Sequence, residues 1–296
     1  MIAMAALKQL LKAPKLIGRR MRNASVIRGF DQRSDSTGNV VRSGVAGGML
    51  KATIDTLLER PGLTAQMIAS PLHQRPDPAK RVHYSWDLPG FLWQAVLSSK
   101  RLRAMVTDYI GPRVRLDDLY VKSVMDGLSS VSEGWHDDNV GYRLKVFMVF
   151  DVEGQPSGTV VVPTERPNLY AVRLGDEVRR ILGHPQRDAR AGAVRVGYQR
   201  GDCLVFDTNI PHRGDYSAGQ GIRYCVIAEF IDRDKADALR GSAPCGPGQA
   251  RRRIPIPALS GVDVAAHPLI DGTLLDRAGE GFVYGYPAST GTGAAP

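Results

Sequence analysis

The 296-residue chain is poor in cysteine, has no long apolar run, and carries no acidic residue among its first thirty. Each scarcity excludes something. The three cysteines, Cys203, Cys225 and Cys245, are odd in number and widely spaced, so neither a disulfide framework nor a zinc ribbon is indicated. The first two sit in apolar runs, where a buried thiol is the plain expectation. No stretch approaches the roughly 18 consecutive apolar residues of a membrane span, and the N-terminus lacks the apolar segment and small-residue cleavage site of a secretory signal. A cytoplasmic protein is therefore expected. The Gly-rich segments GVAGG (44–48) and GPGQ (246–249) have neither the strand-to-helix context nor the lysine of a phosphate loop, which disfavours nucleotide-driven chemistry. No arranged platform of basic and aromatic residues points to nucleic acid.

What is present is enough apolar residue, 43%, for a sizeable core, and a formal charge of +9 that is partly local. Residues 1–30 form a basic N-terminal arm with seven bases, and Leu7, Leu10 and Leu11 share a helical face as far as Pro14. Residues 1–28 could rest on an anionic membrane surface; a solvated or docked arm is the alternative, and a transit peptide has a similar pattern. Residues 31–48 are rich in Ser, Gly and Asp and read as a loop. Residues 49–59 and 90–110 space their apolar residues by three and four, as amphipathic helices do.

From residue 118 the period shortens. The segments 119–125, 142–152, 158–163, 193–198, 202–207 and 222–231 are β-branched and aromatic runs separated by Gly, Pro, Asp and Ser turns. Helices followed by short strands predict a mainly β fold with flanking helices, an antiparallel sandwich or barrel of jelly-roll type. A single domain is expected over 31–255, with its core at about 115–232 and a lid-like insert at 164–192, followed by a C-terminal extension at 256–296 that lacks sustained periodicity and reads as loops.

The chemistry gathers at SEGWHDDNVGYRLKVFMVF (132–150). Side chains two apart in a strand point the same way, so His136 and Asp138 can converge while Asp137 faces elsewhere. Alone, H-x-D is as well explained by a polar turn. A second piece lies in GDCLVFDTNIPHRGDYSAGQGIRYCVIAEF (201–230), where His212 follows a strand and a return strand begins at Ile222. Pairing of that return strand as a hairpin would bring Arg223 to the level of His212. Two histidines and a carboxylate from separate strands make the facial triad of non-haem Fe(II) oxygenases, with three positions open. A guanidinium close by matches the far carboxylate of a chelated dicarboxylic acid.

The W-H-D-D-N segment before an apolar strand, the G-D-x-L-x-F-x-x-x-x-x-H-R-G segment, and an arginine eleven residues beyond that histidine resemble the Fe(II)/2-oxoglutarate dioxygenases of the phytanoyl-CoA hydroxylase type, over roughly residues 90–232. The resemblance implies a double-stranded β-helix (cupin-like jelly roll). It also implies iron ligation by His136, Asp138 and His212, a 2-oxoglutarate anchor at Arg223, and hydroxylation of a small molecule by O2 with release of succinate and CO2. A lipid, a carbohydrate or a natural-product intermediate would suit as substrate. Asp138 speaks against the halogenase variation. VVPTERPNLY (161–170) keeps Pro163 but lacks the histidine that many relatives carry there.

Lys122 and Lys145 interrupt apolar strands and could meet cosubstrate carboxylates; for Lys145, alternation with Arg143 fits a solvent-facing position equally well. Thr159 could hydrogen-bond the cosubstrate or be a plain strand residue. Trp135, Asn139, Tyr142 and Arg213 flank the metal corner as candidate substrate contacts, with packing, turn and surface-pairing roles as the alternatives. A jelly-roll ligand-binding protein without catalysis is the rival to the oxygenase.

Overall fold

The computed structural model describes residues 14, 18, 21, 23–31, 43–125, 134–138, 140–164, 190–215, 220–239 and 253–285. Most of the basic arm, most of the insert, Asn139 and Cys245 thus lie outside the described residues. Residues 23–31 are helical. After them come β1 (Met49–Thr53), α1 (Ile54–Leu57), α2 (Leu63–Ile68), β2 (Val82–Ser85), α3 (Gly90–Ser98), α4 (Lys100–Ile110) and β3 (Val114–Met125). The chain continues through β4 (Arg143–Gln155), β5 (Gly158–Val161), β6 (Val194–Val196), β7 (Asp202–Asp207), β8 (His212–Asp215), β9 (Gln220–Asp232) and α5 (Arg233–Leu239). It closes with β10 (Arg253–Ile256), β11 (Leu275–Ala278) and β12 (Gly281–Gly285). Among the described residues no helix is long and apolar enough to cross a membrane.

Two antiparallel sheets face each other. The major sheet has the order β1-β7-β4-β9-β3-β2 and the minor sheet β6-β5-β8, to which His136 is joined by a bridge to His212. From β3 through His136 to β9 the chain crosses back and forth between the sheets, with β5 and β6 consecutive in the minor one, as in a double-stranded β-helix, so the expected jelly roll with flanking helices is the observed fold.

Alternation within the major sheet decides what each face does. Leu144, Val146 and Met148 of β4, Cys203 and Val205 of β7, and Tyr224, Val226, Ala228 and Phe230 of β9 join the main apolar core with Leu92, Trp93, Leu102 and Val106 of the helices. The opposite parity, including Tyr120, Val149, Leu204, Phe206, Cys225 and Ile227, lines the barrel together with Val161, Val196 and Tyr198. One sheet therefore presents a helix-covered face for stability and a barrel face for the site.

Four elements depart from the sequence reading. Met49–Thr53 is an edge strand on β7 instead of the start of a helix; its apolar spacing satisfies both periods, and β7 offered an unpaired edge. The 90–110 stretch is broken at Ser99, whose hydroxyl caps α4 by accepting from Leu102 N at 3.0 Å and donates to Leu57 O. β8 and β9 do not form a hairpin: β8 pairs with β5, whereas β9 lies between β3 and β4 in the facing sheet. The tail is not all loop, because β10, β12 and β11 form a third sheet, and buried Tyr284 donates from its hydroxyl to Leu116 O at 2.5 Å.

A buried clamp fixes the approach to the metal corner. Asp31, at the end of the N-terminal helix, accepts from Lys235 Nζ at 2.7 Å and from Tyr142 N at 3.0 Å, and Lys235 Nζ also donates to Tyr142 O at 2.7 Å. Gly141 has φ +68°, and a Cβ there would lie 2.0 Å from Asp31 Oδ2 and 2.6 Å from Ile27 Cγ2. Gly141→Ala combines a disfavoured backbone conformation with that clash and is expected to cost about 2–4 kcal/mol of unfolding free energy. Urea denaturation measures it, and an unchanged midpoint would contradict the packing of residues 23–31 against this turn.

Candidate metal centre

His136 and His212 are a hydrogen-bonded cross-strand pair, exchanging N–H···O bonds of 3.0 and 2.9 Å. Both side chains of such a pair project to the same face, which sets the imidazole centroids 4.3 Å apart. Asp138 N donates to Thr208 O at 3.0 Å, holding the corner against the end of β7, and Asp138 shares the parity of His136. One donor atom from each of the three residues lies within 4.8 Å of the other two. His212 is buried and the other two half-buried.

The ring orientations suit ligation. His136 Nδ1 lies 2.7 Å from Gly134 O and His212 Nδ1 lies 3.0 Å from Ile210 O. A carbonyl only accepts, so each Nδ1 carries a proton, and in the neutral ring Nε2 keeps its lone pair. Burial and the neighbouring His136 push the His212 imidazolium down to about 3, against the pull of Asp138, so the ring is neutral at ordinary pH. Burial alone would raise the Asp138 carboxyl, but Lys145, Arg143 and the two imidazoles outweigh it and hold the group well below the usual carboxylate range. Two imidazole nitrogens and one carboxylate oxygen, Oδ1, which lies 3.8 Å from His212 Nε2, are a donor set that fits Fe(II).

The other oxygen of Asp138 is engaged by the protein. Arg143 Nη2 donates to Oδ2 at 2.6 Å and Lys145 Nζ at 2.7 Å. Both cations also meet Glu229, Arg143 Nη1 at 3.1 Å and Lys145 Nζ at 3.4 Å, and Tyr120 OH donates to Glu229 Oε1 at 3.3 Å. Lys145 thus faces the barrel, where its ammonium holds a triad member. The sequence reading missed Arg143, Glu229 and Tyr120; the signal available was Glu229, an acid in the apolar run of β9 at the same parity as Arg223.

Arg223 is buried on the barrel face of β9, and its Nη1 reaches across to Ser157 O at 3.3 Å, just ahead of β5 in the facing sheet. Its guanidinium carbon stands 4.8 Å from the Tyr198 ring centroid, a residue the sequence reading did not single out. The Tyr198 hydroxyl bonds Thr159 Oγ1 at 2.6 Å. Lys122 pairs with Cys225 across β3 and β9, so it is a diagonal neighbour of Arg223 on the barrel face, and its Nζ stands 5.6 Å from the Tyr84 ring centroid. Arg223, Lys122, Thr159 and Tyr198 therefore gather in one part of the barrel.

The remaining candidates are placed elsewhere. Trp135 and Arg213 have the opposite parity to His136 and His212, with the Arg213 guanidinium 5.3 Å and that of Arg190 5.1 Å from the Trp135 ring centroid. They share the outer face of the minor sheet, turned from the triad. Tyr142 packs edge-on against Tyr109 at 6.2 Å and bonds Asp31 through its backbone. Cys203 and Cys225 are free and buried, and burial pushes the Cys225 thiol up to about 12.

No family model matches the chain, and no curated protein matches it in sequence. Among solved structures, HygX from Streptomyces hygroscopicus with nickel and 2-oxoglutarate bound aligns at 16% identity over 63% of this chain and 83% of its own, with a TM-score of 0.46. The non-heme alpha-ketoglutarate-dependent epimerase SnoN from nogalamycin biosynthesis aligns at 16% identity over 65% of this chain and 81% of its own, TM-score 0.44. EctD from S. alaskensis with 2-oxoglutarate and 5-hydroxyectoine aligns at 11% identity over 68% and 78%, TM-score 0.42.

Behind the corner, Asp207 is fully buried, with Tyr109 OH donating to Oδ2 at 2.8 Å and Asn209 N to Oδ1 at 2.8 Å. Burial, only partly opposed by these donors, raises its carboxyl to about 7. A raised acid is favoured in its protonated form by the fold. Its stabilising contribution is therefore full below the unfolded value of about 4 and is lost as pH rises toward 7. Asp207→Asn is neutral at all pH, accepts the same backbone donors, and can give an amide hydrogen to the Tyr109 oxygen. It should remove about 2–4 kcal/mol of the loss of stability between pH 4 and 7, read from urea melts across that range. A variant whose stability falls with pH as steeply as wild type contradicts this assignment.

Proposed function

We propose that the chain is an Fe(II)- and 2-oxoglutarate-dependent oxygenase that oxidises a small molecule. The observation that carries this reading is the convergence, on one barrel face, of two imidazoles whose Nδ1 atoms are tied to backbone carbonyls and one carboxylate. When bound, iron and 2-oxoglutarate supply the oxidising chemistry: O2 is consumed, the oxo acid becomes succinate and CO2, and an oxygen atom passes to the substrate.

In this reading His136, Asp138 and His212 would hold the metal, a three-residue donor set of the kind that leaves room for exchangeable ligands. Arg223 would anchor the far carboxylate of the cosubstrate, because a planar fork of N–H donors matches two carboxylate oxygens. Lys122 adds a second positive charge beside it. Thr159 and Tyr198, already bonded to each other, offer hydroxyls that either donate or accept. Tyr198 also supports the Arg223 guanidinium through its ring face. The apolar lining from Phe147, Val149, Phe206 and Ile227 keeps bulk water from the space between metal and anchor, which strengthens each charge contact there.

Succinate production from 2-oxoglutarate, with Fe(II) and O2 supplied, should collapse in His136→Ala and in Asp138→Ala; retention of wild-type rates by both would show the assignment to be wrong. Anaerobic addition of Fe(II) and 2-oxoglutarate should give the visible charge-transfer band of the chelate. Arg223→Ala should then raise the 2-oxoglutarate concentration needed for half-maximal band on the order of tenfold to a hundredfold, the range for losing a charge-assisted bidentate contact. A non-catalytic ligand carrier on the same fold would give no band at all.

A further inference from the structure

Four ionised side chains stand together inside the barrel, and only Asp138 is used by the reading above. Arg143 is 2% and Glu229 1% exposed, so the group is costly to bury and a function for it is worth seeking. We propose that Arg143, Lys145 and Glu229 form a charge clamp that dedicates one oxygen of Asp138 to the protein and sets how tightly the centre holds a divalent cation. The proposal rests on the metal reading of His136, Asp138 and His212.

The geometry separates the two oxygens of Asp138. Both clamp cations approach Oδ2, at 2.6 and 2.7 Å, whereas Oδ1 is the atom that faces His212 Nε2. Two charged donors on one oxygen orient the carboxylate so that Oδ1 alone points at the metal position. One-oxygen ligation keeps three positions open for cosubstrate and dioxygen; a carboxylate free to swing and chelate with both oxygens would occupy one of them.

Charge follows from the same contacts. Lys145 and Arg143 repel an incoming divalent cation, while Glu229 lies against both and offsets part of that repulsion. Removing a clamp cation should therefore tighten metal binding, and neutralising Glu229 should weaken it. Damage to packing would act differently, since it loosens the donor set and weakens binding whichever residue is changed. Lys145→Met leaves Arg143 holding Oδ2, and Glu229→Gln keeps one acceptor oxygen, for Arg143 on one side or for Tyr120 and Lys145 on the other, so each variant retains part of the network.

The test is Co(II) titration of the full chain, followed by visible absorption in competition with a chelator, with circular dichroism to check folding. Lys145→Met should bind Co(II) on the order of tenfold more tightly than wild type, and Glu229→Gln weaker by a similar factor, the scale of one unit charge acting a few ångströms away in a partly screened interior. The Co(II) bands of Lys145→Met should also shift, because the second carboxylate oxygen is partly released. Both variants weaker, or neither changed, overturns the clamp and leaves the metal site standing. A wild-type chain that binds no Co(II) overturns the metal site and the clamp together. Should Lys145→Met fail to fold, Glu229→Gln decides: Co(II) affinity equal to or above wild type overturns the proposal.

Discussion

The pair of backbone hydrogen bonds between His136 and His212 is the constraint on which the centre depends. Among the described residues His136 lies outside the named strands, and this bridge stitches it to the minor sheet. It also fixes parity. A slip of one residue would turn Trp135 and Arg213 into the barrel and both imidazoles out of it. Because the two Nδ1 atoms are tied to carbonyls two residues back, at Gly134 and Ile210, the same local backbone that makes the bridge also orients the rings. Position and ring orientation are thus determined together, by main-chain atoms that no side-chain substitution removes.

Charge burial within the barrel is tolerated because it is paired. An isolated carboxylate at Asp138 or Glu229 would cost several kcal/mol to desolvate, and loss of one partner from a buried pair costs about 3–5 kcal/mol. Here each anion meets both cations, and Tyr120 supplies a further donor to Glu229. A network in which every member has more than one partner holds its geometry better than separate pairs, since displacing one side chain strains the others. That rigidity suits the proposed metal centre, whose ligands would then be in place before a metal arrives.

Much of this was legible in the sequence, for identifiable reasons. The i, i+2 spacing of His136 and Asp138 states their shared parity outright, and the β-branched runs state the strands. The relation of Arg223 to His212 was not legible in detail. A turn between two strands reads equally as a hairpin or as a crossing between sheets, and the alternation that would separate them is hidden because β8 is only four residues long. Arg143 and Lys145 were ambiguous for a related reason: a polar residue alternating with apolar ones faces solvent in a one-sided sheet but the cavity in a barrel, and only the position of Asp138 and Glu229 settles which. Met49–Thr53 shows the limit of periodicity itself, since five residues satisfy both a helical and a strand pattern until an unpaired neighbouring edge selects one.

The two faces of the major sheet also separate the consequences of change. Residues of β4 and β9 that point outward pack against the helices and carry much of the apolar burial, roughly 1.5–3 kcal/mol for each large side chain. Their neighbours one position along point into the barrel and include Arg143, Lys145, Arg223 and Glu229. A substitution on the outer parity therefore acts on stability through volume, and one on the inner parity acts on the field around Asp138 and Arg223 through charge. The strands are common to both, so the polar face can be specialised only because the apolar face holds each strand in register. The barrel charges sit at defined depths because β9 is hydrogen-bonded on both edges, to β3 and to β4, along nearly its whole length.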